Sequence, residues 1–202
     1  MNTIDNSTIL DDRGGGYAPA LIWCAVLVVF CGLFYPVVST VLGGALFPHQ
    51  ATGSLIERDG RVVGSRLVAQ PFADARYFQP RPSAAGYDPK AASGSNLASS
   101  NPALRERIAK DSAAVAARDG VAPLQIPSDL VTASGSGLDP DISPAAAHVQ
   151  AARVAQARGL TYAHVEAAIK AHTRKPTLGV FGAARVNVLE LNLALDASQG
   201  TK

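Results

Sequence analysis

Residues 18–47 read APALIWCAVLVVFCGLFYPVVSTVLGGALF, and this stretch divides the chain. Of its 30 residues, 23 are apolar, the other seven are Pro, Gly, Ser or Thr, and none is charged. A hydrocarbon core about 30 Å thick takes roughly 20 helical residues, so the run is long enough for one crossing and has residues to spare. One crossing cannot enclose a pore. A cleavable leader would have a basic start and an apolar stretch of about 7–15 residues. Here Asp5, Asp11 and Asp12 precede the run with Arg13 alone, and the run is too long, so an uncleaved anchor is expected.

Working outward, residues 1–17 form a short leader and residues 48–202 a single soluble domain. That domain has 68 apolar residues of 155, but 32 of them are alanine. The whole-chain average of 48% apolar therefore hides a greasy span and an alanine-rich domain poor in aromatics. Cys24 and Cys31 both lie in the span, so the domain has neither disulfides nor a thiolate. Its 17 Lys and Arg against 13 Asp and Glu form no dense basic block, and nucleic acid is not an expected partner. Charge does not orient the span: Arg13 precedes it and Arg58, Arg61 and Arg66 follow it.

Within the span, Ala25, Gly32, Pro36, Ser39 and Gly43 set small residues and a kink-prone proline along one helical face. Small residues let a second helix approach closely in lipid. Gly and Pro are also common in anchors that pack against nothing, and both readings stand.

After the span, Val62, Val63, Leu67, Val68 and Phe72, broken by Gly60, Gly64 and Pro71, predict short strands with tight turns. Residues 79–101, QPRPSAAGYDPKAASGSNLASSN, predict a long loop. Asn101-Pro102 predicts a helix start with Asn as N-cap, Leu104, Ile108 and Val115 on one face, and a stop at Gly120. A second loop runs from Pro127 to Ser143. Ser143-Pro144 then starts a helix ending at Gly159, and Thr161 caps another with Val165 and Ile169 inward, ending near His172. The last element, VNVLELNLALD from Val186, has two readings. Leu191, Leu193 and Leu195 alternate as in a strand, whereas Val188, Leu191 and Leu195 fit a helix, with Asn187 and Glu190 resembling a capping box. The helix is preferred. The expected fold class is α+β: one N-terminal transmembrane helix followed by a helix-dominated soluble domain with short strands.

Catalytic patterns are missing from the sequence. There is no Gly-Lys dipeptide for a phosphate-binding loop and no phosphorylation loop of the DKTGT kind. Ser95 and Ser136 lack the glycines of a nucleophile elbow, no lysine has serine three residues before it, and His49, His148, His164 and His172 are scattered. Asp139 and Asp141 flank Pro140, which suits either oxygen ligation of a cation or turn chemistry, and without a full ligand set the turn reading leads. No metal site is assigned. The loop TASGSG offers successive N–H groups that can cradle an anion.

The segments YFQPRPSAAGYDPKAASGSNLASSNP, DLVTASGSGLDPDISPAAAHVQAARVAQARG and RVNVLELNLALD, in this order behind one span, closely resemble the C subunit of the bacterial Kdp-type potassium-transporting ATPase. The likeness covers Leu21 to Asp196. Departures are small: Asp88 where the family usually has Asn, Asp141 where it often has His, less glycine around Ala92 and Ala98, and Ala183-Ala184 in place of Glu-Pro.

The resemblance implies a non-catalytic subunit of the bacterial inner membrane with a cytoplasmic N-terminus and an extracytoplasmic domain. It also implies three partners: a channel-like potassium-translocating subunit, a P-type ATPase subunit and a small membrane peptide. The subunit would stabilise the assembly and act as a catalytic chaperone, raising the pump subunit's ATP affinity. It has no cofactor of its own, ATP entering through a ternary complex with the pump subunit. On this resemblance Ser134, Gly135, Ser136 and Gly137 are the candidate nucleotide or partner loop. Gly32, Pro36 and Gly43 in the span and Arg81, Ser95, Asn96 and Asp139 in the loops are the candidate partner contacts. The competing expectation is an anchored extracytoplasmic ligand-binding or hydrolytic domain built on Ser95, Ser136 or the Asp139/Asp141 pair.

Overall fold

The computed structural model describes residues 17–199, so the leader up to Gly16 and the last three residues lie outside the described residues. The chain separates after Thr52 into two units.

In the first unit, helix α1 (Ala18–Val29), one π-helical turn (Phe30–Phe34) and helix α2 (Tyr35–Leu46) follow one another without a break. Together they are long and apolar enough to cross a membrane. The π-turn has a local cause. Pro36 carries no N–H, so the Gly32 carbonyl loses its ordinary helical donor, and the ladder widens just before it, with the Tyr35 N–H reaching back to the Phe30 carbonyl. The Phe30 and Phe34 rings stack at 5.3 Å across this turn. Phe47 leaves helical geometry and a short helix, α3 (Pro48–Ala51), closes the unit.

The second unit begins with an antiparallel hairpin, β1 (Leu55–Arg58) and β2 (Arg61–Ser65), in register Arg58↔Arg61 and Leu55↔Ser65. Its turn is Asp59-Gly60 with both φ positive (52° and 71°), the geometry that matches strand twist. The expected strands are thus found at Val62 and Val63 but not at Leu67, Val68 and Phe72. There Ser65 ends the pairing, its hydroxyl accepting the Leu67 N–H and its carbonyl the Val68 N–H, which turns the chain out of the sheet.

Helix α4 (Pro102–Asp119) starts where the Asn101 side chain accepts the Ala103 N–H and stops at left-handed Gly120. Helix α5 (Pro144–Arg158) is capped by the Ser143 hydroxyl accepting from Ala146 and stopped by Gly159, and α6 (Tyr162–His172) is capped by Thr161. Strand β3 (Asp141–Ile142) precedes α5. Strands β4 (Thr173–Arg174) and β5 (Arg185–Asn187) follow α6, giving a small antiparallel sheet in the order β3-β5-β4. Helix α7 (Val188–Gln199) completes the domain.

The last element is the preferred helix, and the strand reading of Leu191, Leu193 and Leu195 does not hold, although a short strand lies just before the helix. Residues 185–187 pair as a strand, and the helix starts at Val188 with the Asn187 side chain accepting the Glu190 N–H at 3.1 Å. Only this half of the capping box forms, because the Glu190 carboxylate turns to Arg66 and Arg174. Leu191 and Leu195 are buried and Leu193 half-buried, as a helix face requires.

The core gathers Phe78, Ile142, Val154, Val165, Ile169, Val186, Leu191 and Leu195 around α5, whose Ala146, Ala147, Ala151 and Ala155 are buried. Alanine on that face lets α4 and α6 pack closely on α5, which gives the domain's alanine content a structural use. Tight packing of small residues still gains dispersion contact, at a lower yield of buried apolar area per residue.

Candidate functional site

The two polar loops predicted from composition, residues 79–101 and 127–143, form one surface, and long-range contacts position both. The segment 75–79 passes from a turn at 74–77 into chain that has no strand partner, and side chains take the partner's place. Asn192 accepts the Phe78 N–H (2.8 Å) and donates to the Phe78 carbonyl (3.0 Å). Gln150 does the same for Gln79 (2.8 and 3.1 Å). Arg153 donates to the carbonyls of Ala75 and Tyr77, and Arg158 to that of Arg76. Buried backbone groups left unpaired are costly, so these amides and guanidinia close the hydrogen-bond account of a segment that has no sheet.

Buried charges complete the clamp. The Asp119 side chain is fully buried and receives Arg153 Nε and Arg118 Nη2, both at 2.6 Å. Arg158, with only 1% of its side chain exposed, donates to Asp196 at 2.9 Å and lies 5.0 Å over the Tyr77 ring. None of Gln150, Arg153, Arg158, Asn192 and Asp119 was a candidate from sequence. The available signal was polar residues on otherwise apolar helix faces.

Beyond the clamp the loops lock together. Arg81 donates to Asp139 at 3.0 Å, the Ser83 hydroxyl donates to the Gly137 carbonyl at 2.6 Å, and the Ser134 N–H donates to the Pro82 carbonyl at 3.0 Å. The Ser83 hydroxyl also accepts the Ala85 and Tyr87 N–H groups. Tyr87 sits at φ +62°, unusual for a bulky side chain, and its hydroxyl donates to the Arg81 carbonyl. Burial raises the pKa of that phenol.

Glycine is required where the loops touch. A Cβ on Gly94 would lie 2.7 Å from the Gly135 carbonyl oxygen, and one on Gly137 (φ +72°) would lie 2.8 Å from that of Ser93.

The predicted residues therefore divide into groups. Arg81 and Asp139 form an ion pair, and Ser134, Gly135 and Gly137 join the same seam. Ser134 is buried, while Gly135, Ser136 and Asn96 are exposed and Ser95 is half-buried. In the loop Ser134–Gly137, the Ser134 N–H goes to Pro82, the Gly137 N–H to the Ser134 hydroxyl (3.1 Å), and the Leu138 N–H to the Ser136 hydroxyl (3.1 Å). These three N–H groups are therefore engaged within the two loops. Gly32, Pro36 and Gly43 belong to the membrane unit, where a Cβ on either glycine would meet nothing within 4 Å.

Asp139 and Asp141 take the turn reading with an arginine each. Asp139 Oδ1 accepts the Asp141 N–H and its Oδ2 meets Arg81, while Asp141 meets Arg185 at 3.1 Å and accepts from Asn187 at 3.2 Å. Burial dominates at Asp141 and raises its carboxyl pKa, with Asp139 adding repulsion and the Asn187 bond and Arg185 opposing. These groups line an open cavity of about 260 Å³ with Asp129, whose carboxylate accepts the Ser143 N–H and hydroxyl at the start of α5. Among the described residues no group of three or more His, Cys, Asp or Glu is placed to hold a metal.

A sequence profile of the family described as KdpC, K+-transporting ATPase c chain, matches residues 17–197, which takes in the span, the clamp and both loops. The chain belongs to the KdpC family. Similar chains are potassium-transporting ATPase KdpC subunits. That of Xanthomonas oryzae pv. oryzae is 58% identical over 191 residues, 94% of this chain and 91% of its own. That of Shewanella putrefaciens is 55% identical over 170 residues (84% and 85%), and that of Sorangium cellulosum 52% identical over 184 residues (90% and 97%). KdpC membership thus rests on both units of the chain, the apolar helix and the loop-bearing domain.

Proposed function

We propose that the chain is the accessory, non-catalytic subunit of an ATP-driven potassium-uptake complex, held in the bacterial inner membrane by residues 18–46 with its domain on the extracytoplasmic side. It would stabilise the assembly of a channel-like subunit, a P-type ATPase subunit and a small membrane peptide, and raise the ATP affinity of the pump subunit. One observation carries this reading: the KdpC match runs through the span and through two loops whose polar groups are spent on each other. A surface rigidified in this way is suited to docking. Ser136 supports the same direction, since its hydroxyl is occupied by Ser134 and the Leu138 N–H and no histidine activates it.

A domain outside the membrane does not touch cytoplasmic ATP, so the effect on ATP affinity is assigned to linkage. If the subunit binds one pump conformation more tightly than another, the pump's affinity for ATP changes by the same coupling free energy, typically about 1–3 kcal/mol or roughly 5–150-fold. The Ser134–Gly137 loop then acts as a partner contact and not as a nucleotide cradle.

The test is purification of the tagged chain from mild detergent. Channel-like and P-type subunits should accompany it, and the complex lacking it should show a raised KM for ATP. Recovery of the chain alone, under conditions where the other subunits stay together and keep the same KM, would contradict the proposal.

A further inference from the structure

Between β4 and β5 the chain reads KPTLGVFGAA, residues 175–184, and forms a tight hairpin tip. Thr177 and Phe181 exchange backbone hydrogen bonds at 2.8 and 2.9 Å, the Gly179 N–H donates to the Pro176 carbonyl and the Val180 N–H to that of Thr177. Among the described residues nothing covers the large apolar side chains on this closed loop: Leu178 is 86% exposed, Val180 77% and Phe181 66%. Burying side chains of this size is favourable, so three left in water on one short loop point to a covering surface.

The charged residues next to the tip in sequence are all basic. From Ala167 to Leu189 there is no acidic residue, while Lys170, Arg174, Lys175 and Arg185 are present. Arg174 is paired with Glu190 and Arg185 with Asp141. Lys170 and Lys175 are exposed on an open groove of about 550 Å³ that also contains His148 and Glu166.

We propose that this hairpin contacts the bilayer, with Leu178, Val180 and Phe181 entering the interfacial layer of an anionic membrane and Lys170 and Lys175 supplying electrostatic attraction to lipid phosphates. Three observations select lipid as the occupant. Strand β1 begins nine residues after Leu46, so the domain is joined to the span by a short segment and cannot diffuse away from a bilayer that the span crosses. Apolar side chains together with lysines are the paired signals that give stable attachment at a lipid surface. The internally bonded backbone also brings few unsatisfied groups into the apolar layer. The inference rests on residues 18–46 crossing a bilayer and is independent of which pump the chain joins.

The experiment uses the full chain with Cys24→Ala and Cys31→Ala and a nitroxide on Val180→Cys, reconstituted into vesicles of equal parts phosphatidylcholine and phosphatidylglycerol. A label on Leu124→Cys, at a fully exposed surface position, is the reference. Collision with dissolved oxygen relative to a water-soluble nickel chelate should be several-fold higher at Val180 than at Leu124. It should fall toward the reference in pure phosphatidylcholine and in Lys170→Gln/Lys175→Gln. Repeating the measurement at Leu178→Cys guards against a label that perturbs one position. Water-like accessibility at both tip positions would overturn the proposal. So would shielding that develops only when the other pump subunits share the membrane, which would make the occupant a protein.

Discussion

Gly94→Ala tests whether the two loops act as one locked surface. The added Cβ would sit 2.7 Å from the Gly135 carbonyl oxygen, with the Gly135 carbonyl carbon and Cα at 3.3 Å. Close C···O contacts lie at roughly 3.3–3.6 Å, so the methyl intrudes by about 0.6 Å or more on backbone that no side-chain rotation can clear. One loop must move, and overpacking of this kind costs about 1–3 kcal/mol. For a chain of this length each kcal/mol lowers Tm by about 2–4 °C, so the expected loss is about 2–12 °C. Gly135→Ala is the matched control, since its Cβ meets nothing within 4 Å. The assays are thermal melting of the full chain in detergent and amide exchange at Ser134, whose N–H bonds to Pro82 across the seam. Gly94→Ala should melt earlier and exchange Ser134 faster, with Gly135→Ala near wild type. Equal behaviour of the two variants in both assays would refute the interlock.

Arg153→Ala removes one of the two arginines on the buried Asp119 carboxylate and the donors to Ala75 and Tyr77; breaking a buried pair costs about 3–5 kcal/mol, measurable by denaturant unfolding, and Asp119→Asn in the same chain should recover part of it. Burial holds the carboxyl pKa of folded Asp141 above the ordinary carboxylate range, so its ionised form is penalised in the fold. The penalty is absent at low pH and grows as pH rises from the ordinary carboxylate range through the folded pKa. Asp141→Asn should therefore match wild-type Tm in acid and exceed it at neutral pH; a variant less stable at neutral pH than in acid, relative to wild type, would reverse the sign. Gly32→Leu with Gly43→Leu should reduce co-purification of the other subunits while leaving the domain's melting unchanged; full assembly would leave the small-residue face without a role.

What the sequence made legible was what is encoded locally. Asn101, Ser143 and Thr161 each cap a helix through a side-chain oxygen, and Gly120 and Gly159 stop the helices they follow, so these boundaries could be read within a few residues of chain. The span was legible because its length and lack of charge leave few alternatives. The sheet β3-β5-β4 was not, since strands of two or three residues are too short to show alternation. Hence Val186 and Asn187 could not be separated from the helix they introduce. At the loops, composition located both segments and the resemblance selected Arg81 and Asp139, but neither indicated that they pair across 58 residues. The clamp was hidden for the same reason: a polar residue on an apolar helix face marks Gln150 and Asn192 as unusual, but nothing local says that they serve a backbone segment 71 and 114 residues away.

The central claim is that the chain works through the assembly it joins. Its most direct test is the KM for ATP of the purified potassium-dependent ATPase, measured with the full chain present and with it deleted. The account predicts that deletion raises KM for ATP, or disperses the complex, and that adding back the full chain restores it, while the isolated chain hydrolyses no ATP. An assembled complex with unchanged KM in its absence, or ATP hydrolysis by the chain alone that Ser136→Ala abolishes, would contradict it.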